Sequence, residues 1–362
     1  MLNYIYYSSV YFLLVFLIYI FHAFNRQNNK RFLTLSFFLL FIFAAISYDV
    51  GWDYIPYYRA LTFDMSFDRF EQVEYYLAVF CIKIDFPQLF FIVNHLIIVL
   101  FLMMAIGKES KNQYLSVIAF LCFPLFYLGG LSEIRFAAAL SIVLFGYVFF
   151  LKERKIVLFL ITLIFASLFH TAILVAILLI PIRYFRVSRM LNIIALVLSV
   201  FFSNLFFSRI VGYEGLTILG DDYNRLMWYL DSENTIGGQS KLHYFFLVLN
   251  IINLISYDKL KSIDENNVQF ITIFNMGCCL AFLFSENMVL MSRLSRVFYF
   301  FIIFLLPYYS QLFTKFKKQS TNTFIVLFSV LLLAYQLSLH NYDGEEIGRI
   351  STYWPYKVFF LH

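Results

Sequence analysis

Apolar residues in this chain run in long blocks, without the strict alternation that marks half-buried strands. A helix crosses a bilayer with roughly 20 apolar residues, fewer where it is short or distorted. By that measure the candidate spans are 4–23, 32–47, 88–106, 112–129, 133–151, 190–207, 242–257, 268–285, 289–312 and 322–340. Backbone amides and carbonyls cannot stay unpaired in lipid, and the pattern lacks the paired alternating strands of a barrel, so these blocks read as helices. The predicted fold class is all-α, a polytopic transmembrane helix bundle.

The polar positions between the blocks orient them. Short basic loops carry Arg26, Lys30 and Arg31; Lys108 and Lys111; Lys152, Arg154 and Lys155; Arg183, Arg186 and Arg189; Lys259 and Lys261; and Lys315, Lys317 and Lys318. They hold 16 of the 27 lysines and arginines but only 5 of the 22 carboxylates. Short loops rich in Lys and Arg stay in the cytoplasm, so the opposite face is acidic. The apolar segment 156–182 has basic flanks on both sides, which one straight helix cannot satisfy. It is expected to be a broken hairpin, about 156–168 and 171–182, turning at Phe169-His170-Thr171 near mid-membrane, where short helices line cavities or pack on protein. About twelve crossings result, with both termini outside. The long segments 48–87 and 208–241 and the tail 341–362 then lie on the outer face. Met65–Phe70 hints at an amphipathic surface helix, and Asp221–Arg225 and Gly237-Gly238 mark the second loop. No internal repeat or low-complexity tract interrupts the chain, so residues 1–362 are treated as one membrane domain with outer loops 48–87 and 208–241.

Composition agrees. The 362 residues are 62% hydrophobic, 22% aromatic and 14% charged, whereas soluble domains are near half apolar and a quarter charged. A soluble enzyme and a nucleic-acid binder are both excluded. The net charge of +5 carries meaning only when divided between the two faces. The first apolar run has neither a basic leader nor a small-residue cleavage site, so it is expected to be a retained span. Cys81, Cys122, Cys278 and Cys279 show no metal spacing and imply no disulfide framework.

Against this background a few polar residues stand out. Tyr48-Asp49-Val50-Gly51-Trp52-Asp53-Tyr54-Ile55-Pro56-Tyr57-Tyr58-Arg59 interleaves rings and carboxylates at the outer edge of the bilayer. Rings stack on sugar faces and carboxylates accept sugar hydroxyl protons. An interfacial aromatic belt would explain the rings, though not Asp49 and Asp53. Arg135 opens one span and Arg293 and Arg296 another, at the outer ends and against the charge trend; the last two share a helix face at i, i+3. Arginine forks match pyrophosphate oxygens, while ion pairing with Glu133, Glu286 or Glu74, or snorkelling to headgroups, is the plainer role. His170 at the hairpin turn and Glu74 before an apolar run are candidate proton acceptors, against packing and a solvated loop acid respectively. No metal ligand set, cofactor site or Gly-rich phosphate loop is evident.

These pieces together resemble the EpsG-type, or Wzy-like, family of bacterial polysaccharide polymerases. Gly51-Trp52-Asp53-Tyr54 with Tyr57-Tyr58 is similar to its Gly-x-Asp-Tyr-x-x-Tyr element, and Glu74-Tyr75-Tyr76 to its glutamate element. Ile134-Arg135-Phe136-Ala137-Ala138-Ala139 resembles its Ile-Arg-Gln-x-x-Ala helix start, with Phe136 where glutamine is usual. His170-Thr171-Ala172 resembles its His-Ser-Ala turn, and Arg293 through Tyr299-Phe300 its late Arg-x-x-x-Tyr-Phe helix. The resemblance implies a glycosyltransferase of the bacterial inner membrane, working on its outer face. It would join oligosaccharide repeat units carried on undecaprenyl pyrophosphate, with membrane lipid and a chain-length regulator as further partners and no cofactor. On that reading Glu74, His170 and Arg135 are the catalytic candidates, and Trp52, Asp53, Tyr54, Tyr57, Arg293, Arg296 and Tyr299 hold substrate. The rivals are a lipid-linked oligosaccharide flippase, disfavoured by the absence of repeats, and a membrane acyltransferase of surface glycan, for which His170 alone is thin support.

Overall fold

The computed structural model describes residues 2–63, 70–203, 241–285, 288–312, 318–338, 353 and 356–361. In chain order these form α1 (Leu2–Phe24), α2 (Asn29–Ala45), β1 (Ser47–Tyr48), α3 (Tyr54–Thr62), α4 (Gln72–Lys83), α5 (Gln88–Glu109), α6 (Gln113–Cys122), α7 (Tyr127–Ser132) and α8 (Ile134–Gly146), which a π turn over Tyr147–Leu151 prolongs. Then come α9 (Ile156–Ser167), a 3-10 helix (Thr171–Leu178), α10 (Leu179–Tyr184), α11 (Arg189–Phe201), α12 (Lys241–Ile255), α13 (Tyr257–Ile263), α14 (Asn266–Leu283), α15 (Met288–Tyr299), α16 (Ile302–Leu312), α17 (Lys318–Leu337) and β2 (Lys357–Val358). The all-α expectation holds, with one two-residue strand pair added. The loop motifs Asp221–Arg225 and Gly237-Gly238, most of the Met65–Phe70 segment, and Glu286 lie outside the described residues.

Local chemistry sets many of the boundaries. Side chains of Asn28, Asn112 and Ser188 accept backbone N–H bonds from Arg31, Leu115 and Leu191, capping α2, α6 and α11 and satisfying donors a helix start leaves open. Pro124 bars its predecessor from helical geometry. Phe123 accordingly turns extended at ψ 142° and α6 stops at Cys122, which splits the expected span 112–129. The expected break at 169–171 is present, between Ser167 and Thr171. The expected single span 289–312 is instead two helices parted at Phe300-Phe301.

These breaks bear on the crossing count. Among the described residues four helices are long and apolar enough to cross a membrane: Gln88–Glu109, Ile134–Leu151, Asn266–Leu283 and Gln319–Leu337, or five if α15 and α16 form one broken span. The other apolar helices are shorter, among them Gln113–Cys122, Ile156–Ser167, Arg189–Phe201 and Leu242–Ile255. Twelve crossings are therefore more than length and composition establish.

The chain divides into two compact units, Met1–Ile177 with Leu306–His362, and Leu178–Leu305. In the first, α5 packs on α2 and α8, and α8 on α9. One end of this unit gathers the basic loops: Lys152 holds Glu109 at 2.6 Å, Lys155 holds Glu153 at 2.6 Å, and Lys108 pairs with Glu153. The other end carries β1, α3 and the start of α8. There β1 pairs antiparallel with β2, Ser47 opposite Val358 and Tyr48 opposite Lys357. The tail is held further by Lys357 Nζ on Asp49 Oδ2 at 3.1 Å, and by Tyr356 stacked on Phe43 at 4.3 Å.

The second unit is built on α14, against which α10, α11, α12 and α15 pack. Its interior is tied by amides, Asn250 to Asn275 at 2.7 Å, Asn275 to the Asn192 carbonyl at 3.0 Å, and Asn192 to Thr272 at 3.2 Å. Such interhelical hydrogen bonds act as glue where lipid offers no hydrophobic drive. Arg186 meets Glu265 at 3.1 Å and Arg189 meets Asp258 at 3.5 Å, so two loops expected on one face do meet. All four cysteines are buried and free.

Candidate functional site

The turn after β1 prepares the first unit's polar end. Asp49 and Gly51 both take positive φ, 56° and 89°. At Gly51 a Cβ would stand 2.3 Å from the Leu131 carbonyl oxygen and 2.7 Å from Ser132 Cα, so only glycine fits on both counts. This approach lets the Trp52 amide donate to Ser132 Oγ at 2.8 Å and starts α3 with Asp53 at its N-terminal boundary.

One turn into α3, Tyr57 meets the first turn of α8. Arg135 Nε donates to the Tyr57 hydroxyl at 2.9 Å, and that hydroxyl donates to Asp53 Oδ2 at 3.3 Å. Arg135 Nη1 forms an ion pair with Glu71 Oε2 at 2.7 Å. The guanidinium also lies over the Tyr57 and Phe70 rings, 5.2 and 4.6 Å from their centroids, in cation–π range. Glu71 Oε1 accepts from the Thr171 amide at 3.0 Å and its hydroxyl at 3.4 Å. A backbone bond from Val73 N–H to the Leu168 carbonyl, 3.1 Å, seats α4 on the same turn. One carboxylate thus joins the starts of α4 and α8 to the break after α9.

His170 lies in that break, its ring edge-on to Phe136 at 5.4 Å. Phe136 is in the first turn of α8, so the turn reaches the Arg135 end of the unit rather than stopping at half depth as expected. His170 Nδ1 accepts from the Ala172 amide at 3.2 Å and stands 4.0 Å from Glu71 Oε1. With Nδ1 accepting, the ring proton sits on Nε2, and the imidazole is a donor there rather than a base. Glu74 is fully buried, at 0% exposure. Its Oε2 accepts from Asn94 Nδ2 at 3.1 Å while Oε1 has no hydrogen-bond partner. Burial pushes the carboxyl up to about 8 and Glu71 adds to the rise, against the opposing pull of Asn94 and Arg135. Glu74 is therefore neutral at pH 7 and out of a substrate's reach. Burial first, then Asp53, hold the Tyr57 hydroxyl firmly protonated, with Arg135 working the other way.

The structure brings together Asp53, Tyr57, Arg135 and His170, with Glu74 sealed beside them. Trp52, 47% exposed, stands at the rim. Tyr54, expected to hold sugar, is instead a packing residue: it is 2% exposed, stacks on Phe91 at 4.1 Å and donates to Gln88 Oε1 at 2.5 Å. Arg293, Arg296 and Tyr299 belong to the second unit. Arg296 is buried, with Nη2 donating to Ser292 Oγ at 3.0 Å. Tyr299, 0% exposed, stacks on Phe246 at 4.3 Å. Its ring lies close over Gly277, where a Cβ would meet Tyr299 Cδ1 at 2.8 Å; Tyr299 is thus a core residue that seats α15 on α14. Among the described residues no group of three or more His, Cys, Asp or Glu is placed to hold a metal. Sequence reasoning missed Glu71 and Asn94. The signals were there: Glu71 precedes Glu74 by three positions at a helix start, and Asn94 is an amide within an apolar run.

The chain of contacts runs through Asp53 and Tyr57, Arg135 and Thr171, which lie in three of the quoted motif segments, and through Glu71, which lies in none. A model of the EpsG family matches residues 30–358. The chain belongs to the EpsG family. That is the family of Wzy-like polysaccharide polymerases. EpsG membership, with the apolar helices, makes this a membrane protein of polysaccharide polymerase type. No curated protein and no solved structure matches the chain.

Proposed function

We propose that this EpsG-family protein polymerises oligosaccharide repeat units carried on undecaprenyl pyrophosphate, on the outer face of the bacterial inner membrane, to build a surface polysaccharide. The observation that carries the reading is the hydrogen-bonded chain Asp53–Tyr57–Arg135–Glu71–Thr171, which links three of the family's motif segments into one polar site. In the reaction the bond between the anomeric carbon of the growing chain and its phosphate oxygen breaks. A bond from that carbon to a hydroxyl oxygen of the incoming unit forms. Asp53 receives the hydroxyl proton, and the lipid pyrophosphate leaves with the bonding electron pair. Trp52 and the exposed side of Tyr57 present rings to the sugar, and His170 donates from Nε2 to a sugar oxygen. Glu74, buried and neutral, is not assigned the base role.

The test is the glycan ladder of cells carrying Asp53→Asn or Arg135→Ala at matched membrane levels. Long chains should vanish while single repeat units build up on the outer face. Units trapped on the cytoplasmic face would support a flippase instead, and an unchanged ladder would remove this site from the chemistry.

A further inference from the structure

The sequence offers Arg135 to a pyrophosphate or an acidic sugar, yet its surroundings suit an uncharged ligand. Resting on the polymerase reading above, we propose that the Arg135 cluster is the acceptor half of the site. It takes the uncharged, hydroxyl-bearing face of a sugar, and Glu71 is the positioning residue that makes it so by matching the arginine's charge.

The contacts argue this in three steps. First, the guanidinium is already committed. Nη1 goes to Glu71 and Nε to Tyr57, the rings of Tyr57 and Phe70 lie against it, and its side chain is only 12% exposed. Second, Glu71 cannot swing aside to free it cheaply. Its second oxygen holds the Thr171 amide and hydroxyl, so moving it unpins the turn that carries His170 and leaves a largely buried carboxylate without its cation. Third, the charges are wrong for a polyanion. Two carboxylates, Glu71 and Asp53, are coupled to one arginine, directly and through Tyr57. A pyrophosphate would meet like charge there. What the cluster offers is a carboxylate acceptor at Asp53, an N–H donor at His170 Nε2 and aromatic faces at Trp52 and Tyr57. That mixture of donors, acceptors and rings is what recognises sugar hydroxyls and C–H faces.

The experiment compares the glycan ladders of Glu71→Gln, Arg135→Gln and the double variant, each at wild-type membrane abundance. If Glu71 and Arg135 work as one positioned pair, each single variant lowers long-chain glycan by about tenfold or more and the double loses little further, since groups acting as a unit are non-additive. If Arg135 instead grips pyrophosphate, removing its counter-charge leaves it freer to do so. Glu71→Gln then keeps or lengthens the chains while Arg135→Gln abolishes them, and the inference is overturned. Should Glu71→Gln fail to insert, Glu71→Asp keeps the charge and is expected to restore part of the ladder. A Glu71→Asp ladder as empty as that of Arg135→Gln, from a protein that inserts and melts normally, counts against charge matching as Glu71's role. Unchanged ladders in Glu71→Gln, Arg135→Gln and Asp53→Asn alike would refute the polymerase reading of this site itself, and this inference with it.

Discussion

At the scale of single residues, Glu74 makes the most direct prediction. A carboxyl whose native value is about 8, against an ordinary 4.5, keeps its proton in the fold while the unfolded chain has lost it. The unfolded state binds fewer protons across that interval, so stability falls as pH rises from about 4.5 to about 8 and levels off beyond. Glu74→Gln mimics the neutral form. The melting temperature of the detergent-purified variant should lose most of that decline between about pH 5 and pH 8, and should match or exceed wild type at the upper end. A wild-type slope retained in the variant would show that another group is responsible. The same carboxyl shows what sequence can and cannot reveal. Asp53, Arg135 and His170 were legible because charge and imidazole break an apolar pattern. Glu71 was not, because an acid at the edge of a loop looks like any solvated acid until a partner 64 positions away closes on it. Tyr54 misled for the converse reason. An aromatic ring in a motif carries no sign of direction, and only the fold turns Tyr57 toward the cluster and Tyr54 onto Phe91.

At the scale of elements, the turn between β1 and α3 sets where Trp52, Asp53 and Tyr57 stand. Gly51→Ala there places a methyl against backbone atoms of Leu131 and Ser132, which cannot yield as a side-chain tip can. It also forces an L-residue to φ 89°. The positive φ alone costs about 1–3 kcal/mol, and the clash adds to it. A lowered melting temperature and a shortened glycan ladder are expected together, because the displaced turn carries Asp53 with it. A variant as stable as wild type with a full ladder would show that the turn does not position the site. The turn at Phe169-His170-Thr171 was legible, because its basic flanks cannot be served by one straight helix, whereas the expected span 112–129 ran through Pro124, which stops α6 at Cys122. The parting at Phe300-Phe301 has no such mark in the sequence. Nor does β2, whose Lys357 reaches Asp49, 308 positions earlier in the chain; two residues in a polar tail give no period to read.

At the scale of the molecule, the charge asymmetry that oriented the loops meets an independent geometric check inside the first unit. Basic loops 108–111 and 152–155 share one end through Lys152–Glu109 and Lys108–Glu153. The tail strand, the aromatic turn and Arg135 are at the opposite end of α8. The more exposed Lys108–Glu153 pair contributes little to stability, so its value here is as a marker of which loops meet. The pairing of β1 with β2 makes a further demand: residue 360 must lie on the same side of the membrane as residue 59. The four native cysteines are buried, so a membrane-impermeant thiol reagent meets little background. Arg59→Cys and Phe360→Cys, both at exposed positions, should label in intact spheroplasts, and Arg154→Cys, exposed in a basic loop, only after permeabilisation. Labelling of residue 360 but not residue 59 in intact spheroplasts would break the strand pairing. Labelling of residue 154 in place of both would invert the whole bundle and carry the Arg135 cluster to the cytoplasmic face, where a polymerase of externally presented units has no use for it.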